Sequence, residues 1–239
     1  MIRTLCFAAL LLFYGCSKST EPEEQKSGPY ASLAVGDVRQ FINLADSSTI
    51  LYEIIDKTHR QDGQEIFLGR WSYGTDTSKR ISYYCLKDGY LMSTELTPVQ
   101  DTAKVKVNPF YEQRIAKIFP KDGDEWDNIV GDIYPEKFKA SFIGKKITAC
   151  GEFGNVYCFA LDEIIRVYYA ENFGIIASEP AGASDVNFLG VSLCYLRVGG
   201  IEKGRRLPPK DHSYYFISSS LKKRMPDLTG SYKNLINDK

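Results

Sequence analysis

The sequence predicts an all-β protein, built as a curved antiparallel sheet or sandwich with at most one or two short helices. From Tyr30 onward, apolar and polar residues alternate in short runs such as TILYEIID, EIFLGRWSYG and VNFLGVSLCYLRVGG, and Gly, Asp or Asn separates the runs. Alternation with a period of two is typical of half-buried strands, and regular turn residues are typical of antiparallel connections. The chain also contains 16 Tyr and 13 Phe, and aromatic residues favour strands.

The N-terminus predicts a secretory signal over residues 1–15. Arg3 precedes the apolar run LCFAALLLFY. Ten residues span about 15 Å as a helix, whereas a bilayer core needs about 20 residues. The run is therefore too short for a transmembrane helix and fits the apolar region of a signal peptide.

Cys16, at the end of this signal, is the predicted lipidation site. The stretch LFYGC resembles a bacterial lipobox with a small residue before the cysteine, although Phe13 and Tyr14 are bulkier than the usual residues. The resemblance implies that the Cys16 thiol carries a diacylglycerol and that the new amine is acylated, with palmitate among the expected chains. Two acyl chains give stable membrane attachment, whereas one binds marginally. The alternative is a plain signal peptide.

Residues 16–29 are predicted to be a lipidated, flexible tether. SKSTEPEEQKSGP has no aromatic or branched aliphatic residue, so it cannot bury enough apolar surface to offset the entropy cost of ordering. Ser17 rather than Asp follows the cysteine, which by the sorting rule of enteric bacteria indicates the outer membrane. We therefore expect a lipid-anchored protein of the cell envelope, on its periplasmic or surface face.

The rest of the chain is predicted to be a single β domain that contains a repeat. The boundaries are 30–239 for the domain, 30–105 and 115–200 for two similar units, and 201–239 for a C-terminal extension. Each unit has Gly-Asp closely followed by an aromatic residue, in LAVGDVRQF and FPKDGDEWDNI, and later a Tyr-Tyr hairpin. Tyr83 follows Gly36 by 47 positions and Tyr168 follows Gly123 by 45. Near-equal spacing indicates a repeat, although all-β chains also produce similar hairpins by chance.

Two hairpin turns and one helix can be placed locally. CLKDGYL and AENFGII each set a turn residue before Gly between apolar arms, which is typical of tight hairpins. The best helix candidate is PFYEQRIAKIF, from Pro109 to Phe119, because proline stands at its start and directly after its end. A strand is the alternative for this segment.

These motifs resemble a widespread group of uncharacterised bacterial lipoproteins. In that group a VGNxWxY-like entry strand follows the lipidated tether, and a YYAxGVGLV-like hairpin, similar to YYAENFGII, occurs late in the chain. Trp126 matches the entry-strand tryptophan in the second unit, whereas in the first unit Arg39 takes that place and only Phe41 keeps an aromatic ring. The resemblance implies a curved antiparallel sheet in an exported lipoprotein, and no activity. We expect Trp126 to be a buried core residue.

Charge and motifs exclude several function classes. Thirty basic and thirty acidic residues balance, whereas nucleic-acid binding needs a basic footprint. The locally basic stretch from Lys203 to Arg224 predicts a solvated face or tail, with contact to anionic lipid or lipopolysaccharide as the alternative. His59 and His212 lie in polar, loop-like stretches and form no metal-binding motif. We assign no catalytic residue, metal or cofactor, and expect no enzymatic activity.

The stretch KDGDEWDN clusters Asp122, Asp124, Glu125 and Asp127. Oxygen-rich loops can hold Ca²⁺, but this one lacks the ligand order of an EF-hand. We expect Asp124, Glu125 and Asp127 to lie at a turn and face water while the neighbouring tryptophan packs inward.

Four cysteines remain in the predicted domain: Cys85, Cys150, Cys158 and Cys194. An exported chain permits disulfides, and four cysteines allow three pairings. Cys150 and Cys158 flank GEFGNVY, a predicted hairpin turn, so these two are the candidate disulfide. Free, buried thiols are the alternative.

The function that the sequence favours is a non-enzymatic, membrane-anchored binding or interaction module. Its partner is expected to be an envelope protein or an apolar ligand, and not a nucleic acid. The alternatives are an envelope hydrolase with an unrecognised active site, a carrier of lipid or another apolar ligand, by analogy of fold alone, and a purely architectural protein. An apolar cavity with one mouth would favour carriage, and a filled interior would favour a structural role.

Overall fold

A computed structural model confirms the all-β fold. It describes residues 28–76, 80–98, 110–129, 136–161, 164–181 and 190–211. Within these ranges the chain forms thirteen strands and no helix, and hence no helix that could span a membrane. The strands build one large, curved, nearly closed antiparallel sheet. The predicted signal, Cys16 and residues 212–239 lie outside the described residues.

The strands are numbered in chain order. Their bounds are β1 Val38–Asn43, β2 Thr49–His59, β3 Glu65–Tyr73, β4 Arg80–Lys87, β5 Tyr90–Thr94, β6 Gln113–Lys117, β7 Glu125–Asp127, β8 Lys137–Thr148, β9 Gly151–Leu161, β10 Ile165–Ala170, β11 Gly174–Pro180, β12 Val191–Val198 and β13 Ile201–Gly204.

Two meanders of six strands, β1 to β6 and β7 to β12, make up the sheet. They are joined because the first strand of one pairs with the last strand of the other: β1 lies against β12, with Asn43 opposite Val191. The opposite ends of the meanders also meet, where Gln113 at the start of β6 bridges Ile129 just after β7. The sheet therefore almost closes on itself.

The two Gly-Asp motifs occupy matching places in the meanders. Gly36 and Gly123 each stand two positions before the first strand of their meander, with φ of 95° and 81°. Glycine adopts this region without the steric cost that a side chain imposes. Tyr83 and Tyr168 lie in β4 and β10, the fourth strand of each meander.

Both predicted hairpin turns are present. Asp88 and Gly89 join β4 to β5, and their φ values of 52° and 82° suit the mirror-image turn that matches strand twist. The turn between β10 and β11 likewise contains Asn172, with a φ of 65°.

Aromatic side chains fill the interior of the sheet. Phe159 and Tyr169 stack with their ring centroids 4.8 Å apart, and Tyr52 meets Tyr84 edge to face at 5.9 Å. The backbone of Gly69 lies against both of the latter rings. A Cβ atom at this position would lie 2.6 Å from the Tyr84 ring and 2.8 Å from the Tyr52 ring. The core depends on this close approach.

The chain enters the sheet at Pro29 and Tyr30. The Tyr30 amide donates to the carbonyl oxygen of Ile118, and the Asn172 amide donates to that of Pro29, both at 2.8 Å. The Tyr30 ring is buried and meets the Tyr157 ring edge to face at 5.0 Å. The entry point therefore lies between the end of β6 and the β10–β11 turn.

The last described residues pack on the sheet. After β13 pairs with β12, the chain continues to Leu207, whose carbonyl oxygen accepts from Gln40 Nε2 at 2.9 Å and whose amide donates to Gln40 Oε1 at 2.7 Å. The Thr49 amide then donates to the Lys210 carbonyl oxygen at 3.0 Å. The first part of the predicted C-terminal extension thus covers β1 and β2.

The predicted helix from Pro109 to Phe119 is wrong. Gln113–Lys117 forms β6 and pairs with β5, while Pro109 lies outside the described residues. The pairing supplies backbone hydrogen bonds, and Ala116 is fully buried against the core. These tertiary contacts outweigh the local helix signals, since propensity is a weak prior.

Candidate functional site

A pocket of about 280 Å³ opens where the two ends of the sheet meet. This volume is near the lower end of the range for ligand pockets, roughly 300–1,000 Å³. Its lining comes from β5 to β8 and consists of Tyr90, Arg114, Glu125, Trp126, Asp127 and Lys137. The pocket therefore exists only because the ends of the two meanders come together.

Trp126 forms the apolar wall of this pocket and is buried as predicted, with 5% of its surface exposed. Its ring stacks on Phe138 at 5.3 Å and meets Phe159 edge to face at 5.1 Å. Its indole Nε1 is buried without a hydrogen-bond partner among the described residues. An unpaired buried donor is costly, so a ligand that accepts from this atom, or a substitution that removes it, would stabilise the site.

The charged residues of the pocket are of both signs. The guanidinium of Arg114 lies 5.2 Å from the centre of the Tyr90 ring, which is within the range of a cation–π contact. Glu125 is exposed, as predicted, but lies in β7 rather than at a turn, and its carboxylate is 3.7 Å from Lys139 Nζ. Asp127 also lies in β7 and is half-buried, so its predicted water-facing turn position is wrong. The pocket therefore offers hydrogen-bond donors, acceptors and aromatic faces together.

The predicted water-facing position of Asp124 is wrong. Its carboxylate accepts from Lys117 Nζ at 2.8 Å and from the Lys121 amide at 2.7 Å. Burial acts to raise the pKa of Asp124, but these hydrogen bonds outweigh it and the pKa is lowered. Asp122 is also engaged, since it accepts from the Phe142 amide at 2.9 Å. The acidic loop thus fastens β7 to β6 and β8.

No three His, Cys, Asp or Glu side chains of the described residues lie together as metal ligands. His59 is exposed at the end of β2. His212 and the lipidation residue Cys16 lie outside the described part of the chain. His59 is not among the residues that line the pocket.

Cys150 and Cys158 do not face each other across the β8–β9 hairpin. Cys150 lies in the tight turn between the strands, whereas Cys158 stands opposite Ser141 on β8 and Tyr168 on β10. The predicted turn at GEFGNVY is wrong, because these residues form the first part of β9. All four cysteines of the described residues are buried, free thiols, and burial raises the pKa of each.

A buried ion network supports the strand that carries Arg114. The Arg60 guanidinium donates to Glu112 at 3.0 Å and to the Thr94 hydroxyl at 2.8 Å, and Lys87 Nζ donates to Glu112 at 2.8 Å. The Phe110 ring centre lies 3.8 Å from the Arg60 guanidinium carbon. Because Glu112 directly precedes β6, the network fixes the chain as it enters the pocket wall. Its members are far apart in sequence, and no local pattern indicates them.

Two solved structures are similar to this chain. One is a "putative lipoprotein" from Parabacteroides distasonis ATCC 8503, with 12% identity, a TM-score of 0.39, and coverage of 72% of this chain and 100% of that one. The other is a "putative exported protein with YmcC-like fold" from Bacteroides fragilis NCTC 9343, with 11% identity, a TM-score of 0.35, and coverage of 71% and 99%. No family model and no curated protein matches the chain.

Proposed function

We propose that this protein is a non-enzymatic, lipid-anchored binding module of the bacterial cell envelope. It holds a small polar ligand, or a polar side chain of an envelope partner, in the pocket at the closure of the sheet. One observation carries the proposal: two aromatic rings, two cations and two carboxylates converge on a single pocket of about 280 Å³.

The proposed anchor is Cys16, and the outer membrane is the proposed location. An apolar run of signal length ends in a small residue and this cysteine, and a polar stretch follows. The chain first bonds to the sheet at Pro29 and Tyr30, where that polar stretch ends. This order is what a protein needs when acyl chains hold a folded domain beside a bilayer.

The chemistry of the pocket favours recognition of a polar group over carriage of an acyl chain. A carrier needs a large apolar cavity, whereas four of the six lining residues here are charged. Stacked rings such as Phe159 and Tyr169 occupy the interior of the sheet. For an envelope hydrolase, the other alternative, this lining offers two acids, Glu125 and Asp127.

Native mass spectrometry of the protein extracted from its own membranes tests the proposal. We expect acyl mass on Cys16 and a co-purified polar molecule or envelope protein that is lost in Arg114→Ala. Arg80→Ala is the matched control, because Arg80 lies 5.1 Å from the Tyr73 ring centre, a cation–π contact of the same kind outside the pocket. Retention of the adduct in Arg114→Ala, or co-purification of free acyl lipid instead, would overturn the assignment of the pocket.

A further inference from the structure

Three large apolar side chains are exposed on β8 and on the loop that follows β6. Phe119 is 57% exposed, Phe142 50% and Ile143 40%; these three residues are called the entry patch below. The loop after Phe119 lies against β8, because Asp122 in that loop accepts from the Phe142 amide at 2.9 Å. The loop that begins at Phe119 and the strand that carries Phe142 are therefore neighbours, although they are far apart in sequence.

The entry patch lies beside the point where the chain enters the sheet. The Phe142 ring centre is 5.2 Å from that of Tyr157, and the Tyr157 ring in turn is 5.0 Å from that of Tyr30. On the other side, the Tyr30 amide donates to the carbonyl oxygen of Ile118, the residue directly before Phe119. The patch thus flanks the entry point on both sides.

The length of chain before the entry point places this end of the sheet near the membrane. Eleven residues separate Cys16 from Gly28 (28 − 16 − 1). A fully extended chain spans at most about 3.6 Å per residue, so the stretch reaches roughly 40 Å. An acylated Cys16 therefore keeps Gly28, where the described chain begins, within about 40 Å of the bilayer.

Lysines surround the patch, but their charge is partly compensated. Lys139 lies 3.7 Å from a carboxylate oxygen of Glu125, and Lys145 lies 2.9 Å from one of Glu152. Lys121 is exposed on the loop that follows Phe119. Lysine stems can cover apolar surface while their ammonium groups reach head groups. Because the acids balance most of this charge, the apolar side chains, more than the lysines, would supply a contact with a membrane.

We propose that the entry patch docks the protein on the bilayer that holds its acyl chains. Phe119, Phe142 and Ile143 insert into the interfacial layer, and the nearby lysines contact head groups. The inference rests on the proposed lipid anchor, because so small a patch holds a membrane only when a tether raises its effective concentration.

Docking fixes the orientation of the pocket. The Ile118 end of β6 faces the bilayer, and Arg114 lies four residues away along the same strand. At about 3.3 Å per residue, this separation is roughly 13 Å. The pocket therefore lies close to the docked end, and Glu125 of its lining stands opposite Lys139, one of the lysines beside the patch.

An environment-sensitive dye on an introduced cysteine tests the docking. The lipidated full chain, as Phe142→Cys, is labelled with a nitrobenzoxadiazole dye and placed in vesicles of phosphatidylethanolamine and phosphatidylglycerol. The four thiols of the described residues are buried, and Cys16 carries the acyl anchor in this protein, so the label goes to the new residue. We expect a blue shift and several-fold quenching by nitroxide-bearing lipid. The matched control is Leu44→Cys, because Leu44 is 62% exposed in the β1–β2 turn, and its dye should remain in water.

The outcomes separate the two proposals. If the protein carries acyl mass and stays on the vesicles, but the dye at Phe142→Cys behaves like that at Leu44→Cys, the docking is wrong and the anchor stands. If mass spectrometry finds no acyl group on Cys16, the anchor is wrong, and the docking that depends on it is overturned as well.

Discussion

The guanidinium of Arg39 donates two hydrogen bonds to the backbone carbonyl oxygen of Phe173, from Nε at 3.0 Å and from Nη2 at 2.8 Å. Arg39 lies in β1 and Phe173 in the β10–β11 turn, so this contact ties the two meanders together. None of the ion pairs within the described ranges includes Arg39. The main partner of the guanidinium is therefore a backbone carbonyl. Burial lowers the pKa of this guanidinium.

Truncation of Arg39 should destabilise the protein. Arg39→Ala leaves a cavity and removes both donors from the Phe173 carbonyl, so we expect a loss of about 2–4 kcal/mol in the free energy of unfolding. Urea unfolding followed by fluorescence measures it. Arg166→Ala, at an exposed position on β10, is the control and should stay within about 0.5 kcal/mol of the parent. Equal stability of the two variants would contradict the tie between the meanders.

Trp126 should respond differently to two substitutions. Trp126→Ala removes a ring packed against Phe138 and Phe159 and should cost about 3–5 kcal/mol, out of a typical margin of about 5–15 kcal/mol. Trp126→Phe keeps much of the packing and removes the unpaired Nε1 donor, so it should cost clearly less. Thermal and urea unfolding of both variants measure this difference, and equal losses would contradict the argument that a ring packed against Phe138 and Phe159 carries the stability.

EDTA tests the rival interpretation that the acidic loop next to Trp126 binds Ca²⁺. Asp124 accepts from Lys117 Nζ and the Lys121 amide, which leaves its carboxylate committed to protein partners. We therefore expect the melting temperature of the parent to stay unchanged in EDTA. A large drop that Ca²⁺ restores would make the acidic loop a metal site.

The Arg60–Glu112 network should make stability depend on acid pH. Burial acts to raise the pKa of Glu112, but the hydrogen bonds from Lys87 and Arg60 outweigh it and the pKa lies below the ordinary value of 4.5. A lowered folded pKa contributes stability that is present above the unfolded value and is lost as the pH falls through the folded value. The hydrogen bond from Arg60 likewise lowers the pKa of Asp62 to about 2.

We therefore expect the free energy of unfolding to decrease as the pH falls from about 4.5 toward about 2. Glu112→Gln should flatten this dependence and lower stability at neutral pH, because it weakens a buried ion pair. Glu125→Gln, at an exposed position, should leave the profile unchanged. Urea unfolding at a series of pH values measures all three proteins, and identical profiles for the parent and Glu112→Gln would exclude the network as the cause.

The thiols of the sheet should react slowly while the protein is folded. Burial raises the pKa of Cys85 and of Cys194 to about 11, and the thiolate is the reactive form. At pH 8 we expect iodoacetamide to modify the folded protein far more slowly than the urea-unfolded protein, which should take up one group on each of Cys85, Cys150, Cys158 and Cys194. Fewer groups, with the mass deficit of a disulfide, would show that a pair is oxidised.

The features that were predicted correctly are those that local chemistry determines. Gly36 and Gly123 before their strands, and Asp88-Gly89 between β4 and β5, are marked by backbone conformations that few residues adopt. The burial of Trp126 followed from its size and position. These signals depend on near neighbours in the chain, and the sequence displays them directly.

The features that were missed depend on distant partners. Arg60 and Glu112 are 52 positions apart, and neither residue reveals the other. The segment around Ala116 has good helix punctuation and becomes a strand only because β5 is available for pairing. The pocket was invisible for the same reason, since Arg114 and Trp126 line one wall only after the sheet closes.

The pairing of β1 with β12 imposes an order on folding. Asn43 stands opposite Val191, 148 positions later (191 − 43), and Val38 opposite Arg197, 159 positions later (197 − 38). Such distant pairings slow folding, because the loop-closure entropy must be lost before the contact forms. If the chain is secreted from its N-terminus, β1 emerges early and waits for its partner as an unpaired edge, which is open to pairing with other chains. The sheet therefore cannot close until β12, the last strand of the second meander, has been secreted.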